Sequence, residues 1–334
     1  MVSTAINEGR VPREFSPHIS QLCEGALRGG DLERFSTAND WLDWLQWSTV
    51  VLDENDYLEA AVHALDLAPK LAGTDYGTSR MRDLGQLWTD TIRGFLGEIA
   101  FVKWLRRNFG VSAELDYRKG PLEKFLPSDL KEVNGRAPRI RISIKTTKLR
   151  SIWLDVPYEQ IEHSDIFVLV RIGVTREHFV AFLKKISVVK NKLLERAKQL
   201  GIITEEESSE VWESVPDFEN IPSYVAGFID KREYDVSDKT AIFSIDGRLK
   251  RTRRIGGRPK FVVTRFVGFW NPGERDRYVR KAVQELVRRG LTVPGNADVE
   301  FEGIGEFSRA LHFIAHSGAL KKSGEEWSEV VESL

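Results

Sequence analysis

Apolar and polar side chains alternate strictly over Arg139-Ile140-Arg141-Ile142-Ser143-Ile144-Lys145. That period predicts a strand with Ile140, Ile142 and Ile144 facing a core and Arg139, Arg141, Ser143 and Lys145 sharing the other face. Just upstream, Asp129-Leu130-Lys131-Glu132-Val133 runs into the turn dipeptide Asn134-Gly135, which predicts a hairpin with the alternating segment. From about Ser20 to Leu96 apolar residues recur at helical spacing, as in Asp40 to Trp47 and Tyr57 to Val62. Gly94 to Asn108 predicts a stronger helix, stopped by Gly110. After Ser151 to Val156 and a short helical stretch from Tyr158, the unbroken apolar run Ile166 to Val170 predicts a central strand covered on both faces. Helical spacing returns at Val188 to Leu200, Phe261 to Val267 reads as a strand, and the chain from Arg275 is mostly helical.

These elements imply an α/β fold, a mixed central β-sheet flanked by helices, with helical N- and C-terminal regions. The expected divisions are a helical region at 1–90, a core at 91–186, a region continuing the core at 187–274 and a mostly helical region at 275–334. At 334 residues, with 41% hydrophobic and 10% aromatic content, the chain can bury a substantial core.

Charge changes the picture locally, not globally. The formal net charge is −1, so no overall basic field points to nucleic acid. Yet Glu205, Glu206, Glu207, Glu210, Glu213, Asp217 and Glu219 form an acidic run without a lysine or arginine. Arg248, Lys250, Arg251, Arg253, Arg254, Arg258 and Lys260 form a basic run without a carboxylate, interrupted by Gly256, Gly257 and Pro259. Such a run suits contact with DNA phosphates, and Arg265 beyond it has the fork that reads guanine; Arg141 and Lys148, beside the central triplet, are further candidate DNA contacts. The acidic run is expected to be a solvated helix or loop held away from DNA.

The single cysteine, Cys23, rules out an intramolecular disulfide framework and a multi-cysteine zinc site. Met1 to Pro12 lacks an apolar stretch suited to a signal peptide, and no window reaches membrane-spanning length, so a cytoplasmic protein without membrane contact is expected. His312 and His316 have the spacing of a helical metal pair, but Phe313 stands where a zinc-protease glutamate would be, and ordinary histidines are the simpler reading. There is no phosphate-binding glycine loop, nucleophile elbow or dinucleotide fingerprint.

The chemistry that remains is carboxylate and lysine. Phosphodiester hydrolysis needs a divalent cation, hard oxygen ligands to hold it and a cation near the attacking water. Asp129 and Glu98 are the candidate carboxylate ligands, the main-chain carbonyl of Ile144 a further oxygen, and Lys145 the cation that orients the nucleophile and offsets developing charge. With Phe95 at zero on a helical wheel, Glu98 falls at about −60°, between Val102 and Leu105, on the apolar face. A carboxylate there is costly unless paired or metal-bound. The competing readings are a turn aspartate, a solvated strand lysine, and a Glu98 salt bridge to Arg106 or Arg141.

Gly97-Glu98-Ile99-Ala100, Pro127-Ser128-Asp129 and Ser143-Ile144-Lys145, in that order, resemble the signature of the restriction-endonuclease-like PD-(D/E)XK nucleases. The following Thr146-Thr147, and Val156-Pro157 through Asp165-Ile166-Phe167-Val168, are similar too. The likeness covers roughly Gly94 to Val174. It implies a restriction-endonuclease-like core in which Asp129 is the metal ligand, Lys145 the catalytic lysine and Glu98 the helix carboxylate, with Mg²⁺ as cofactor and Mn²⁺ as substitute. Ser143 departs from the pattern by standing at the catalytic triplet position normally held by an acid, so either Glu98 supplies the second carboxylate or metal affinity is reduced.

The function expected from these features is a Type II restriction endonuclease, hydrolysing double-stranded DNA at a specific sequence and working as a homodimer on two-fold sites. Two alternatives remain: a structure-specific repair or recombination nuclease, and a DNA-binding protein of the same fold without catalysis.

Overall fold

The structure is a computed structural model, and it describes residues 1–72, 83–117, 128–250, 259–304 and 310–334. In chain order the α-helices are α1 (Val2–Asn7), α2 (Ile19–Gly29), α3 (Ala38–Ser48), α4 (Glu54–Ala72), α5 (Leu84–Phe109), α6 (Tyr158–Ile161), α7 (Glu177–Lys185), α8 (Glu195–Gln199), α9 (Glu205–Ser214), α10 (Arg275–Arg288) and α11 (Gly324–Ser333). The strands are β1 (Thr49–Leu52), β2 (Ala113–Leu115), β3 (Leu130–Val133), β4 (Ile142–Lys148), β5 (Trp153–Pro157), β6 (Ile166–Ile172), β7 (Ile221–Asp230), β8 (Ile242–Lys250), β9 (Lys260–Trp270), β10 (Asp298–Phe301) and β11 (His312–His316). The class is mixed α/β, as the periodicities imply.

β6, the unbroken apolar run, is buried at every position and lies inside the sheet β1-β7-β6-β4. It pairs parallel with β4 and antiparallel with β7, and β7 pairs antiparallel with β1, so the sheet is mixed. Alternation along the strands sends neighbouring side chains to two different cores. Ile142, Ile144, Val168 and Val170 pack with Ile92, Phe95 and Ile99 of α5, whereas Phe167, Leu169, Tyr224 and Ala226 pack toward Phe266, Phe269 and Ile314 of a second sheet. In that sheet the order is β10-β9-β11-β5. Its long strand β9 takes β8 along one edge and, on the other, β10 then β11 end to end.

Three expectations are corrected. β3 and β4 do not form a hairpin ladder: β3 pairs with β2 and β4 with β6. Asn134 and Gly135 do turn the chain with positive φ. However, the β4 donors Ile142 N–H and Ile144 N–H are taken by the side chains of Ser128 and Asp129, which replace the backbone partners a ladder would need. The N-terminal region is not purely helical, because β1 extends the main sheet against β7. Nor is the C-terminal region mostly helical: β10 and β11 lie within it, and β11 bridges β9 and β5. Its five residues are all buried, and so short a segment is stabilised by two strand neighbours rather than by its own turns.

Beneath the junction of the two sheets lies a buried charge network. Arg171 of β6 donates to Asp31 at 2.9 Å and to the Tyr224 hydroxyl at 2.6 Å, and Lys322 Nζ lies 3.0 Å from Asp31. Burial works to raise the Asp31 carboxyl, but the Lys322 and Arg171 charges override it and hold the group below the ordinary carboxylate range. Burial pulls the Lys322 ammonium down to about 8 against the attraction of Asp31. Among the described residues, no helix is long and apolar enough to cross a membrane.

Candidate active site

α5 carries the first site residue. It begins at Asp83, whose carboxylate accepts from Gln86 N–H at 2.8 Å, and ends where Gly110 adopts φ +66° and returns its N–H to Arg106. In the middle of the helix Gly97 faces β4 so closely that a Cβ there would fall 1.9 Å from the Thr146 hydroxyl oxygen. That hydroxyl donates to Gly94 O at 3.1 Å, clamping helix to strand. Glu98, the next residue, is thereby held beside the free edge of β4.

Asp129 reaches the same edge from the start of β3. Its N–H donates to Ile142 O at 2.8 Å, and its own carbonyl accepts from Asp116 N–H at 2.9 Å. Its carboxylate accepts from Ile144 N–H and from the Ser143 hydroxyl. Ser143 is buried and works as a donor that fixes Asp129, a role distinct from that of the acid whose place it takes. Because the N–H and C=O of a strand residue leave on the same side, the Ile144 carbonyl points from the edge on which Asp129 sits. Lys145 lies in register with Leu169, on the face shared with Ser143, and is half-buried.

The electrostatics tie these groups together. Burial, and then the negative charge of Asp129, push the Glu98 carboxyl well above the ordinary carboxylate range; Lys145 opposes this and Asp116 adds to it. Burial likewise raises Asp129, against the pull of Lys145, Ile144 N–H and Ser143, with Asp116 raising it further. Three carboxyl groups therefore act on one another with one lysine among them. Asp116 was not singled out in the sequence; its signal was the alternation Ala113-Glu114-Leu115-Asp116-Tyr117, which sets it one residue past β2 and beside Asp129. It is buried, and it lines a cleft of about 760 Å³ together with Ile99, Leu115 and Tyr117.

The competing reading, a salt bridge from Glu98 to Arg141, is not formed, because the Arg141 side chain makes two hydrogen bonds to Asp165, at 3.0 and 2.9 Å. The same bonds take Arg141 up as a strut between β4 and the start of β6. Lys148 is exposed at the end of β4. Arg248 pairs with Glu302, Lys260 with Glu300 and Arg265 with Glu33, so each of these candidate DNA contacts already has a carboxylate partner. Lys250 is exposed at the end of β8. Arg251, Arg253, Arg254 and Arg258 lie outside the described residues, as does Pro127. The acidic run from Glu205 to Glu213 forms α9, opened by a reciprocal Thr204–Glu207 cap, and Asp217 and Glu219 follow in the connection to β7. His312 and His316 sit on a strand, bonded to Asp155 and to Phe266 O, which removes the helical geometry of a metal pair.

A divalent cation fits the donor set. Glu98, Asp129 and the Ile144 carbonyl are all hard oxygens, and two carboxylates plus retained water is the ordinary demand of Mg²⁺. Burial raises the proton affinity of both carboxyls, with Asp129 and Asp116 adding negative charge at Glu98, and a bound cation would offset that charge. Among the described residues, no three His, Cys, Asp or Glu side chains converge as a metal cage. Main-chain and water oxygens would have to complete the coordination.

The fold and site define a mixed α/β protein with a carboxylate–lysine cluster at the open edge of its main sheet. The chain matches no protein-family model, no curated protein and no solved structure.

Proposed function

We propose that this chain is a Mg²⁺-dependent endodeoxyribonuclease with a restriction-endonuclease-like PD-(D/E)XK core, and specifically a Type II restriction endonuclease acting on double-stranded DNA. The observation that supports it most is the electrostatic coupling of Glu98, Asp129 and Lys145, which come from a helix, a loop and a strand separated in the sequence. A structural salt bridge does not account for this arrangement, because two carboxyls outnumber the one ammonium and both are pushed toward protonation.

In this reading Glu98, Asp129 and the Ile144 carbonyl hold Mg²⁺, which when bound polarises the phosphodiester and acidifies water. Asp129 is kept in one orientation by Ile144 N–H and the Ser143 hydroxyl. Lys145 Nζ orients the attacking water and offsets the charge that grows on the phosphoryl oxygens. Ser143, a donor rather than an acid, supports one alternative, a DNA-binding protein that lacks catalysis. Homodimerisation follows from the restriction reading, since a two-fold site is cut most simply by a two-fold protein.

Digestion of an intact plasmid with Mg²⁺, followed by sequencing of the ends, tests the proposal. Discrete fragments with a common end sequence are expected. Cutting confined to flaps, nicks or junctions would make it a repair nuclease, and no cutting with any divalent metal would sink the enzyme reading. Asp129→Ala and Lys145→Ala should each lower cleavage by about 10²–10³-fold, on the scale of losing a charge-stabilising group, while leaving duplex binding in place.

A further inference from the structure

Beyond Lys145, the same face of β4 continues to Thr147 and into a pocket of about 440 Å³ between the two sheets. Its walls include Arg28, Thr147, Lys148, Arg150, Trp153 and Glu302. Arg28 is built into this place by two glycines. A Cβ at Gly25 would fall 2.4 Å from the Leu149 carbonyl oxygen, so α2 lies with its backbone on the Leu149–Arg150 segment and Arg28 follows one turn later. Gly303, at φ +76°, lies beneath the guanidinium, where a Cβ would come 3.1 Å from it.

Three cations, Arg28, Lys148 and Arg150, line the pocket with one carboxylate, Glu302; Arg28 also pairs through Nη1 with Glu24 on its own helix, and two donors in the pocket lack acceptors. Arg28 Nε is buried with no hydrogen-bond partner; Glu302 Oε2 stands 3.7 Å away, an ion-pair distance too long for a hydrogen bond. The Thr147 hydroxyl is also buried without a partner. Buried donors of this kind are costly unless an acceptor arrives. Glu302 in turn pairs with Arg248, which joins the pocket to the basic run. A tetrahedral oxyanion offers what is lacking: several acceptor oxygens and a negative charge, matched to guanidinium and hydroxyl donors.

We infer that this pocket holds a phosphate of the DNA backbone next to the one positioned at Lys145. The inference rests on the nuclease reading for its choice of DNA, and it adds Arg28, Thr147 and Arg150 to the DNA-contacting surface. Two strand residues span about 6.6 Å, which sets Thr147 the distance of a neighbouring backbone position from Lys145 rather than at the cut itself. In the absence of DNA Glu302 pairs with Arg248 and faces Arg28 Nε, whose Nη1 stays on Glu24, and Glu302 is exchanged for phosphate on binding.

The test is fluorescence anisotropy of a labelled mixed-sequence duplex, titrated over a range of salt concentrations with Ca²⁺ replacing Mg²⁺. Phosphate contacts do not depend on base sequence, so the recognition site need not be known. Arg150→Gln and Arg28→Gln should each weaken binding, and loss of one phosphate contact should reduce the slope of log K against log salt by about 0.9. Glu302→Gln should act in the opposite direction and tighten binding. Arg28 is part-buried and its variant can fail to fold, in which case the exposed positions, through Arg150→Gln and Lys148→Gln, carry the test. An unchanged slope in those two variants overturns the inference, as does a wild-type protein that does not bind duplex. Protection of the wild type from thermal unfolding by inorganic phosphate, with no duplex affinity, would reassign the pocket to free phosphate and overturn it too. Because binding is the readout, a protein that cuts DNA but keeps its slope refutes the pocket alone. A protein that never cuts but loses slope refutes only the catalytic reading.

Discussion

Glu98 and Asp129 are two carboxyl groups raised first by burial, with Asp129 adding to the shift of Glu98 and Asp116 to that of both, and that has consequences for both stability and metal binding. Raised carboxyls keep protons in the folded protein that the unfolded chain has released. Their contribution to stability is therefore complete below the unfolded carboxylate range and falls as pH rises toward the folded values. Glu98→Gln should raise the thermal midpoint of metal-free protein at neutral pH by a few degrees while lowering the protection given by Mg²⁺. Thermal unfolding in EDTA and in Mg²⁺ would check both signs; a variant less stable than wild type in EDTA would contradict the charge repulsion. Since a metal competes with protons for the same oxygens, Mg²⁺ protection of the wild type should grow with pH over the range in which the pair ionises. The Cys23 thiol, pushed up by burial, stays protonated near neutrality and takes no part.

The contact of α5 with β4 sets the position of Glu98. Gly97→Ala brings two opposing effects: alanine favours helix by about 1 kcal/mol over glycine, whereas the added Cβ meets the Thr146 hydroxyl and lies 2.8 Å from Thr146 Cβ. A clash involving a Cβ cannot be relieved by a rotamer change alone, so overpacking wins, at about 1–3 kcal/mol. Urea denaturation should show a lower midpoint, and cleavage should fall because the helix must shift away from Asp129. A stabilised variant would mean that helix propensity dominates and the spacing is slack. The periodicity made α5 and its glycine stop legible, but not its start at Leu84, ten residues before the predicted one. Likewise β4 was legible as a strand face, while its length, from Ile142 to Lys148, came from pairing with β6.

Across the whole molecule, the Asp31, Arg171, Tyr224 and Lys322 network ties α2's end and α11's start to the central strands. Asp31 and Arg171 are at most 1% exposed, so removal of the only carboxylate drawn into these bonds strands two cations. Asp31→Asn should cost about 3–5 kcal/mol in chemical denaturation, the range for breaking a buried ion pair from one side. Adding Lys322→Met should recover part of the loss, whereas strictly additive losses would show that the two residues do not share one network. Lowered Lys322 means that the folded protein binds fewer protons than the unfolded chain between about 8 and the ordinary lysine value. Its unfavourable contribution is thus largest at neutral pH and fades as pH rises through that window.

Residue periodicity alone determined much of this protein: the buried strand β6, the face of β4 that bears Ser143 and Lys145, the helix bearing Glu98 and the turn at Asn134-Gly135. Each of these depends on neighbours a few positions apart, and local alternation states which side of an element is apolar. Partnership is not local. That β3 pairs with β2, that β11 completes a second sheet, and that Arg248, Lys260 and Arg265 meet Glu302, Glu300 and Glu33 depends on segments tens to hundreds of residues away. Only tertiary structure brought Asp116 beside Asp129, gave Ser143 its role as donor, and placed Arg28 and Thr147 in one pocket. Burial of the two cores chooses among strand partners that carry equally good local patterns.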